Sequence, residues 1–541
     1  MKINSGLRSS RFVGIVDELA EGFRERAGGF DERGEFPYVN IDELRASGYL
    51  GLTVPEELGG LGGDLTDMVV TQERLAAACG STALVVNMHL SMTGQLARAW
   101  RGTGNERAEK LLRGAADGSV FLAGATAEPG HALVRSTGST AVRVEGGYLV
   151  TGKKTFGTGS AIATHLTSMA VCDGEVIVFR VPTDAPGLEV KTGTWHTAGM
   201  RATCSDNVEL HDVEVPDEAI TLRFPQGHLD GTLLQTLWGW AMPSFGAVYL
   251  GIALGALQQC VSDVRKRGWQ QRAFAQTTIA ECEVLAETAR ATIARTADEV
   301  MGNSLWTALD VQEGMSRVLL AKLAGTNNAV SIVDRVVQLV GSPALKAGSC
   351  YDRAARDVRA GTMHPYSNAD AYELISATTL GESVAPINPP ISTELPTAER
   401  KQDMDRTAAH RLVEDFVAAY NTGNPDLLDR CLAADYRHPN PAIPDRAAFK
   451  KVVARWSTVV ADLELAVRDV IVDGDKIVVR MTFSGRQVGD IMDIPATDRT
   501  FSVGLIDIFL VENGLLAQHW DEMDLLGLHR QLGALPEPVQ V

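Results

Sequence analysis

The sequence predicts a multidomain α+β protein, because of its length and of two changes in hydrophobic pattern. The chain has 541 residues, whereas one domain typically holds roughly 100 to 200, so three or four units are expected. Apolar residues recur at helical spacing over 1–120, give way to short β-branched runs over 121–228, and return to helical spacing over 229–382. Beyond a proline-rich stretch, residues 405–541 combine one helical segment with alternating strands.

These patterns define the units in chain order: an N-terminal helical domain, a middle β domain and a C-terminal helical bundle. Within the bundle, the longest apolar run, at 247–257, is shorter than the about 20 residues that cross a bilayer, so it predicts a buried core helix. Residues 383–404 follow and have no apolar periodicity. They contain Pro386, Pro389, Pro390 and Pro396 and predict an extended linker.

The last unit, 405–541, has two hairpin signals. Asp473-Gly474 and Asn513-Gly514 each stand between two strand patterns, and such pairs favour the two-residue turns of β-hairpins. A helix followed by paired strands predicts one small α+β domain.

Charge and cysteine usage exclude several functional classes. Asp and Glu number 68 against 50 Lys and Arg, giving a net charge of −18, and this field repels nucleic acid and anionic lipid. The seven cysteines show no Cys-x-x-Cys spacing, which suits a reducing cytoplasm and offers no zinc site, and no metal is expected. The N-terminus lacks the apolar stretch of a secretory signal. We therefore expect a cytoplasmic protein without nucleic-acid or membrane partners.

Five segments of the first 382 residues resemble the acyl-CoA dehydrogenase superfamily in order and spacing. They are FLAGATAEPG at 121–130, GGYLVTGKKTFGTGS at 146–160, TAGMRATCSDNVELHDVEVP at 197–216, VVQLVGSPAL at 336–345 and RDVRAGTMHP at 356–365. The resemblance implies a helical domain, a β-barrel-like domain and a four-helix bundle. It also implies FAD bound between the β domain and the bundle, in a homodimer or homotetramer.

The resemblance implies which residues hold the cofactor. Phe156 and Thr158 match an aromatic residue and a hydroxyl placed against the flavin ring, where a hydroxyl can hydrogen-bond the N5 region. Three residues match adenosine, pyrophosphate or subunit-interface positions: Gln338, Gly341 and Arg272. Thr126 is expected to replace a flavin-contacting Thr, because this chain has Ala127 at that position. Leu133 and Ser342 also depart from the family, at a phosphate-contacting Ser and a second Gly.

The family's catalytic base is missing. Dehydrogenation of an acyl thioester needs a base for the α proton, and the family supplies a Glu from one of two positions. These positions align with Pro365 and near Ala241, neither of which can accept a proton. His364 is the nearest replacement, since an imidazole with an ordinary pKa of about 6.5 can act as a base at neutral pH. His89 matches a pocket histidine of the family, or it is a core histidine with its hydrogen bonds satisfied.

Three functions remain open for these domains. One is an FAD-dependent oxidoreductase of acyl-CoA dehydrogenase type, acting on a small molecule bound to CoA or a carrier protein and passing electrons to an acceptor. RDVRAGTMHP also resembles the flavin-dependent monooxygenase branch, in which a His at this place faces the flavin and an external flavin reductase supplies electrons. Pro365 and Leu133 suggest a third function, a non-redox cyclase or scaffold with a degenerate flavin site.

The last domain resembles the SnoaL-like polyketide cyclase family, which has the nuclear transport factor 2 fold. The resemblance rests on VEDFVAAYNTGNPDLLDRCLAADYRHPNP and AQHWDEMDLLGLHRQLGAL. It implies that Asp521 is an acid and base for ring closure and that Asp507 perturbs it, since two nearby carboxylates split their pKa values. His438, Asn440 and His519 are expected at the mouth of the pocket, unless the domain only binds or dimerises. The fusion suggests a thioester or polyketide-like substrate of specialised metabolism.

Overall fold

The computed structural model describes residues 10–128, 137–302, 305, 309–388, 406–438, 443–473, 475–491 and 494–535. It divides into two compact units, Met1–Leu395 and Pro396–Val541. Each unit has a hydrophobic core of its own.

The first unit begins with a helical region. Its helices are α1 (Val13–Arg33), α2 (Tyr38–Ala46), α3 (Leu65–Ala78), α4 (Gly80–Thr103) and α5 (Glu106–Asp117). Helix α3 begins where the side chains of Asp64 and Asp67 each accept a hydrogen bond from the other residue's backbone N–H. Helix α1 ends at Gly34, whose left-handed backbone suits glycine. The helical pattern of the sequence therefore has matching local stop signals.

The middle of the unit is an eight-stranded sheet. Its strands are β1 (Leu122–Gly124), β2 (Thr140–Val144), β3 (Gly147–Lys154), β4 (His165–Cys172), β5 (Glu175–Pro182), β6 (Leu188–Lys191), β7 (Asn207–Pro216) and β8 (Ile220–Pro225). They run in the order β6-β7-β3-β2-β4-β5-β8, and β1 pairs with β4. β-branched residues fill these strands and pack well on a pleated surface, so the predicted β domain forms.

A helical bundle follows the sheet. Its helices are α6 (Gly231–Leu233), α7 (Gly239–Lys266), α8 (Ala273–Met301), α9 (Val311–Val340), α10 (Cys350–Met363) and α11 (Asn368–Leu380). A π-helical turn, Leu234–Trp238, joins α6 to α7, and Pro243 lies inside α7. The predicted core helix at 247–257 is confirmed, because most of α7 is buried. The stretch Gly231–Lys266 is long and apolar enough to cross a membrane, but 94% of its apolar window is buried inside the protein.

The start of the predicted linker belongs to the first unit. Ile387–Asn388 (β10) pairs in parallel with Leu229–Asp230 (β9), and the Asn388 side chain donates to Asp230 Oδ2 at 2.5 Å. An extended linker was expected from residue 383, so the structure corrects that boundary for the described residues. The rest of the predicted linker lies outside the described residues.

The second unit is an α+β domain built on a five-stranded sheet. Its elements are α12 (Arg406–Asn421), β11 (Leu432–Arg437), α13 (Arg446–Val459), β12 (Val460–Asp473), β13 (Lys476–Gln487), β14 (Thr500–Glu512), β15 (Leu515–Met523) and α14 (Leu525–Gln531). The sheet order is β11-β15-β14-β13-β12. Asn513 and Gly514 both have positive φ between β14 and β15, which confirms the predicted hairpin turn. Asp473 pairs with Lys476 across the other hairpin, whose Gly474 is outside the described residues.

Candidate functional site

Phe156 presents an open aromatic surface just after β3. Its backbone is left-handed with φ 58°, which is uncommon for a residue with a side chain, and its side chain is 55% exposed. Trp195 meets it edge to face, with ring centroids 5.7 Å apart. Trp195 also lines a cavity of about 670 Å³ together with Phe36 and Tyr38. The exposed ring of Phe156 is a surface on which a planar cofactor can pack.

Thr158 is buried and begins a chain of three hydroxyl groups. Its Oγ1 lies 2.8 Å from Ser205 Oγ, and Ser205 Oγ lies 2.8 Å from Thr203 Oγ1. Thr203 Oγ1 donates to the carbonyl oxygen of Met200 at 2.9 Å. Close by, Ser160 Oγ is buried and has no hydrogen-bond partner among the described residues. The site therefore offers a cofactor two hydroxyl groups beside an aromatic surface.

The loop that carries Thr203 and Ser205 is held against α10. Met200 and Cys204, which lie before and after Thr203, both have left-handed backbones, which persist only where the surroundings fix them. The Met200 N–H donates to Asp357 at 2.5 Å, and Arg356 donates to the Ala198 carbonyl at 2.8 Å. Asp357 is buried, and burial raises its pKa to about 6. Helix α10 thus positions the hydroxyl chain.

Glu128, the acid of the segment at 121–130, is used for structure. It accepts from Thr137 and Ser139 hydroxyls, both at 2.6 Å, and it contacts the ammonium of the buried Lys154. Burial opposes ionisation of Glu128, but these donors outweigh it and lower its pKa to about 2. Thr126 is half-buried two residues earlier, while Leu133 lies outside the described residues.

His364 follows the last residue of α10 and lies among aromatic side chains of α7. Its ring centroid is 4.1 Å from that of Phe245 and 6.3 Å from that of Tyr249. Two residues after His364, the ring of Tyr366 meets that of Trp238 with centroids 5.6 Å apart. We call His364, Phe245 and Tyr249 the aromatic box. His364 Nδ1 is buried in the box without a partner among the described residues, and so is the Tyr249 hydroxyl.

His364 is uncharged at neutral pH. Burial lowers its pKa to about 3, and the positive charge of Lys322 lowers it further. Lys322 is itself fully buried on α9 and donates to the Tyr366 carbonyl at 2.6 Å. The expectation of an ordinary imidazole pKa is therefore wrong, because desolvation disfavours the imidazolium. A neutral His364 can form hydrogen bonds but cannot act as a general acid at neutral pH.

The residues expected at the adenosine and pyrophosphate positions lie at one exposed end of the bundle. The guanidinium of Arg272 stacks on Trp269 at 4.7 Å, and that of Arg267 lies on the same ring at 4.9 Å. Arg267 also donates to the Val340 carbonyl at 3.0 Å, next to Gly341. Gly341 has φ 78° and ψ −151°, a conformation open only to glycine. Gln338 is exposed on α9 just before it.

His89 is a core residue. It is fully buried, its Nδ1 accepts from the Leu122 N–H at 3.0 Å, and its Nε2 donates to the Leu50 carbonyl at 3.0 Å. Its ring stacks on Phe121 with centroids 4.6 Å apart, and burial lowers its pKa to about 4. The expected role in the substrate pocket is corrected, because backbone groups occupy both ring nitrogens.

In the second unit, four of the five predicted polar residues come together. Strands β14 and β15 place Asp507 opposite Asp521, and the alternation of β14 turns Asp507 inward as expected. His438 Nε2 lies 2.8 Å from Asp521 Oδ1, and the rings of His438 and His519 are 5.2 Å apart. His519 Nε2 lies 3.4 Å from Asp507 Oδ2. Asn440 lies outside the described residues.

The two carboxylates of this cluster differ in exposure. Asp507 is 1% exposed, and burial raises its pKa despite the neighbouring His519. The Asp521 side chain is 41% exposed, so it is the carboxylate that a molecule from solvent can reach. His519 Nδ1 lies 3.0 Å from the Tyr436 hydroxyl. Phe416, Phe449 and Phe509 surround the cluster.

Sequence reasoning missed the residues that complete both parts of the flavin region. Ser205 and Thr203 occur in the segment at 197–216, but nothing in the sequence pairs them with Thr158. Phe245, Tyr249 and Lys322 are apolar-face positions of long helices, where a core role is the ordinary interpretation. Only the periodicity of aromatic residues along α7 gave a signal.

The residues present fit a flavin ring. Phe156 offers an open aromatic surface, and the Thr158 and Ser160 hydroxyls are buried beside it with hydrogen-bonding capacity to spare. These features and the fold define a flavin-dependent oxidoreductase. Family models agree: the N-terminal, middle and C-terminal domains of acyl-CoA dehydrogenase match residues 15–119, 123–213 and 244–369. The chain belongs to the acyl-CoA dehydrogenase family, and residues 410–532 match the SnoaL-like polyketide cyclase family.

Similar proteins include a nitrososynthase and a monooxygenase. The chain is 33% identical over 386 residues to L-evernosamine nitrososynthase of Micromonospora sp., covering 68% of this chain and 89% of that protein. It is 28% identical over 384 residues to dibenzothiophene monooxygenase of Mycolicibacterium goodii, covering 65% and 89%. A structure of KijD3 with FMN and a dTDP-amino-keto sugar is 29% identical with TM-score 0.62, covering 70% of this chain and 96% of that one.

Proposed function

We propose that the first unit is a flavin-dependent oxygenase of acyl-CoA dehydrogenase architecture. The observation that carries this proposal is the neutral His364 in the aromatic box, one residue before the place where dehydrogenases of the family have a carboxylate base. A histidine with a pKa of about 3 is a poor base for the α proton of a thioester. The monooxygenase alternative is thereby favoured over thioester dehydrogenation.

The flavin, when bound in its reduced form, supplies two electrons to O2, so that one oxygen atom enters the substrate and the other leaves as water. The protein's own residues bind and orient the reactants. Phe156 would support the ring, the Thr158 and Ser160 hydroxyls would hydrogen-bond it, and the aromatic box would exclude water. His364 Nδ1 and the Tyr249 hydroxyl hold polar atoms of the reactants. A separate flavin reductase is the partner that regenerates the reduced cofactor.

The substrate is a small molecule of specialised metabolism with an electron-rich nitrogen, sulfur or carbon atom. The apolar box and the low pKa of His364 favour an uncharged reacting centre over an anion. Nitrososynthases and dibenzothiophene monooxygenases, the relatives above, are named for products or substrates of this kind. A thioester or polyketide-like substrate that contains such a centre could also be oxygenated.

FAD is the proposed cofactor, with a homodimer or homotetramer in the cytoplasm as the assembly. Arg267 and Arg272 flank Trp269 beside Gly341, which supplies two positive charges and an approachable backbone for a pyrophosphate. These residues are exposed at the bundle end, so a second copy of the chain can present them to the flavin. FMN, seen with KijD3, lacks the adenosine half and would leave this end unused.

Two measurements separate the candidate reactions. The full chain is loaded with FAD or FMN and given a flavin reductase, NADH, 18O2 and dTDP-amino sugars or thioethers. We expect product that carries one 18O atom. In the second measurement, acyl-CoA thioesters are mixed with the oxidised holoprotein without oxygen, and we expect the flavin to stay yellow. Anaerobic bleaching would establish a dehydrogenase, and failure to bind either flavin would leave the non-redox alternative.

For the second unit, we propose acid and base catalysis by Asp521 assisted by His438. The 2.8 Å contact between them and the exposure of Asp521 support this role, whereas Asp507 is enclosed. His519, whose ring lies 5.2 Å from that of His438, and Tyr436 extend the polar row inward. Abstraction of a proton next to a ketone is the elementary step of ring closure in a polyketide-like chain.

Deuterium exchange tests this second proposal without knowledge of the natural substrate. The α protons of 2-tetralone in D2O are followed by NMR with the full chain present. Asp521→Asn should slow the protein-dependent exchange at least tenfold, and Phe156→Gly, a variant in the other unit, should not change it. Equal exchange with the parent protein and Asp521→Asn would reject the assignment.

A further inference from the structure

We infer that the hydroxyl chain Thr158–Ser205–Thr203 fixes Thr158 as a hydrogen-bond acceptor and thereby selects the reduced form of the flavin. This inference rests on the proposed flavin site and extends it to the redox state of the cofactor. Thr203 and Ser205 then determine which redox state of the cofactor binds, because they set the direction of the hydrogen bond that Thr158 forms.

The direction follows from counting protons. Each of the three hydroxyl groups has one proton to donate. A carbonyl oxygen only accepts, so the Thr203 hydroxyl donates its proton to the Met200 carbonyl. The contact between Thr203 and Ser205 then needs the proton of Ser205, and the contact between Ser205 and Thr158 needs the proton of Thr158. Thr158 Oγ1 retains only lone pairs for a ligand.

The opposite direction loses a hydrogen bond. If Thr158 donated to a ligand, Ser205 would donate to Thr158 and Thr203 to Ser205, and no hydroxyl proton would reach Met200. The three groups are all buried, at 4%, 2% and 1% exposed, so water does not replace the lost bond. The Met200 carbonyl also accepts from Trp195 Nε1 at 3.0 Å and from the Thr203 N–H at 3.1 Å, so it stays in place in either case and the reversal costs one net hydrogen bond.

The two redox states of a flavin differ at N5, the atom that the family resemblance would place next to the Thr158 hydroxyl. N5 of the oxidised ring has a lone pair and accepts, whereas N5 of the reduced ring carries a hydrogen and donates. An acceptor at Thr158 therefore suits N5 of the reduced ring and gives N5 of the oxidised ring no donor from Thr158. This preference suits an enzyme that receives its flavin in reduced form from a separate reductase.

The test compares the affinity for the two redox states. Dissociation constants for oxidised flavin and, without oxygen, for dithionite-reduced flavin are measured for the full chain and for Thr203→Val, Thr203→Ser and Ser205→Ala. We expect the parent protein to bind reduced flavin roughly two- to tenfold more tightly, the range that one net hydrogen bond gives. Tenfold corresponds to a two-electron midpoint potential higher by about 30 mV than that of free flavin.

Thr203→Val removes the acceptor that orients Ser205, so the ratio of the two affinities should fall toward one. Ser205→Ala breaks the chain at its centre and should have the same effect, which keeps the test valid if Thr203→Val does not fold. Thr203→Ser keeps the hydroxyl and should keep the ratio. A ratio unchanged in both Thr203→Val and Ser205→Ala would overturn the inference. Failure of the parent protein to bind either form would instead reject the flavin site itself.

Discussion

The Met200 N–H donates to the buried carboxyl of Asp357 at 2.5 Å, and this bond joins the β domain to the bundle at the flavin site. Met200 lies three residues before Thr203, and Asp357 lies two helical turns before His364. The same contact thus positions both the hydroxyl chain and the aromatic box. A Cβ on Gly199 would come within 2.3 Å of the Arg356 carbonyl, so the close approach at this joint requires glycine.

Asp357→Asn should change how stability depends on pH. Burial raises the folded-state pKa of Asp357 to about 6, above the ordinary 3.8, so the folded protein retains a proton that the unfolded chain loses. The free energy of unfolding contributed by this group is therefore full below about pH 4 and declines as pH rises through about 6. The difference between the two pKa values corresponds to about 3 kcal/mol.

Asparagine still accepts from the Met200 N–H and does not ionise. We expect the variant to match the parent near pH 4 and to be more stable at pH 8 by up to about 3 kcal/mol. Urea unfolding between pH 4 and 8 measures both curves. Parallel curves would show that Asp357 does not titrate in this range.

His364 should titrate only in acid. Its folded pKa of about 3 means that the folded protein resists a proton that the unfolded chain accepts near 6.5, so this group lowers stability as pH falls below 6.5. NMR of 15N-labelled histidine, with His364→Gln to assign the signal, should show neutral imidazole down to pH 5. Lys322→Met should raise this pKa, because it removes the neighbouring positive charge. A titration near pH 6.5 in the parent protein would contradict the burial of the ring.

His364→Gln should lower oxygenase activity only modestly. Glutamine has no basic nitrogen but can hydrogen-bond from a similar place, so the loss should stay within about tenfold if the imidazole acts through hydrogen bonds. Loss of a general base would lower the rate by about 100- to 10,000-fold. His364→Phe, which fills the box without a polar atom, is the matched control and should lose far more. Steady-state rates with saturating reduced flavin distinguish these outcomes.

His89→Phe should destabilise the protein without affecting substrate binding. The change leaves the Leu122 N–H and the Leu50 carbonyl buried without partners, at about 1 to 3 kcal/mol each. Thermal and urea unfolding measure the loss, and His410→Phe, at an exposed helix position, should stay within about 0.5 kcal/mol of the parent. A large rise in KM with unchanged stability would restore the pocket role for His89.

The fold and part of the site could be predicted from the sequence because both depend on local sequence patterns. Five segments in register specified the dehydrogenase fold, and Asn513-Gly514 specified a turn whose two positive φ angles only such residues adopt readily. Phe156 and Thr158 lie within one of those segments, two residues apart. His364 was predicted to be a site residue because the neighbouring position has Pro365 in place of a glutamate.

The tertiary structure alone decided how these residues behave. His364 is neutral because Phe245 from α7 and Lys322 from α9 surround it, and Thr158 is an acceptor because a loop about 45 residues later supplies Ser205 and Thr203. His89 is a core residue for the same kind of reason, since backbone groups of Leu50 and Leu122 hydrogen-bond both of its ring nitrogens. Residue type and spacing determine which groups a chain possesses, whereas pKa and hydrogen-bond direction depend on desolvation and on partners that only folding brings together.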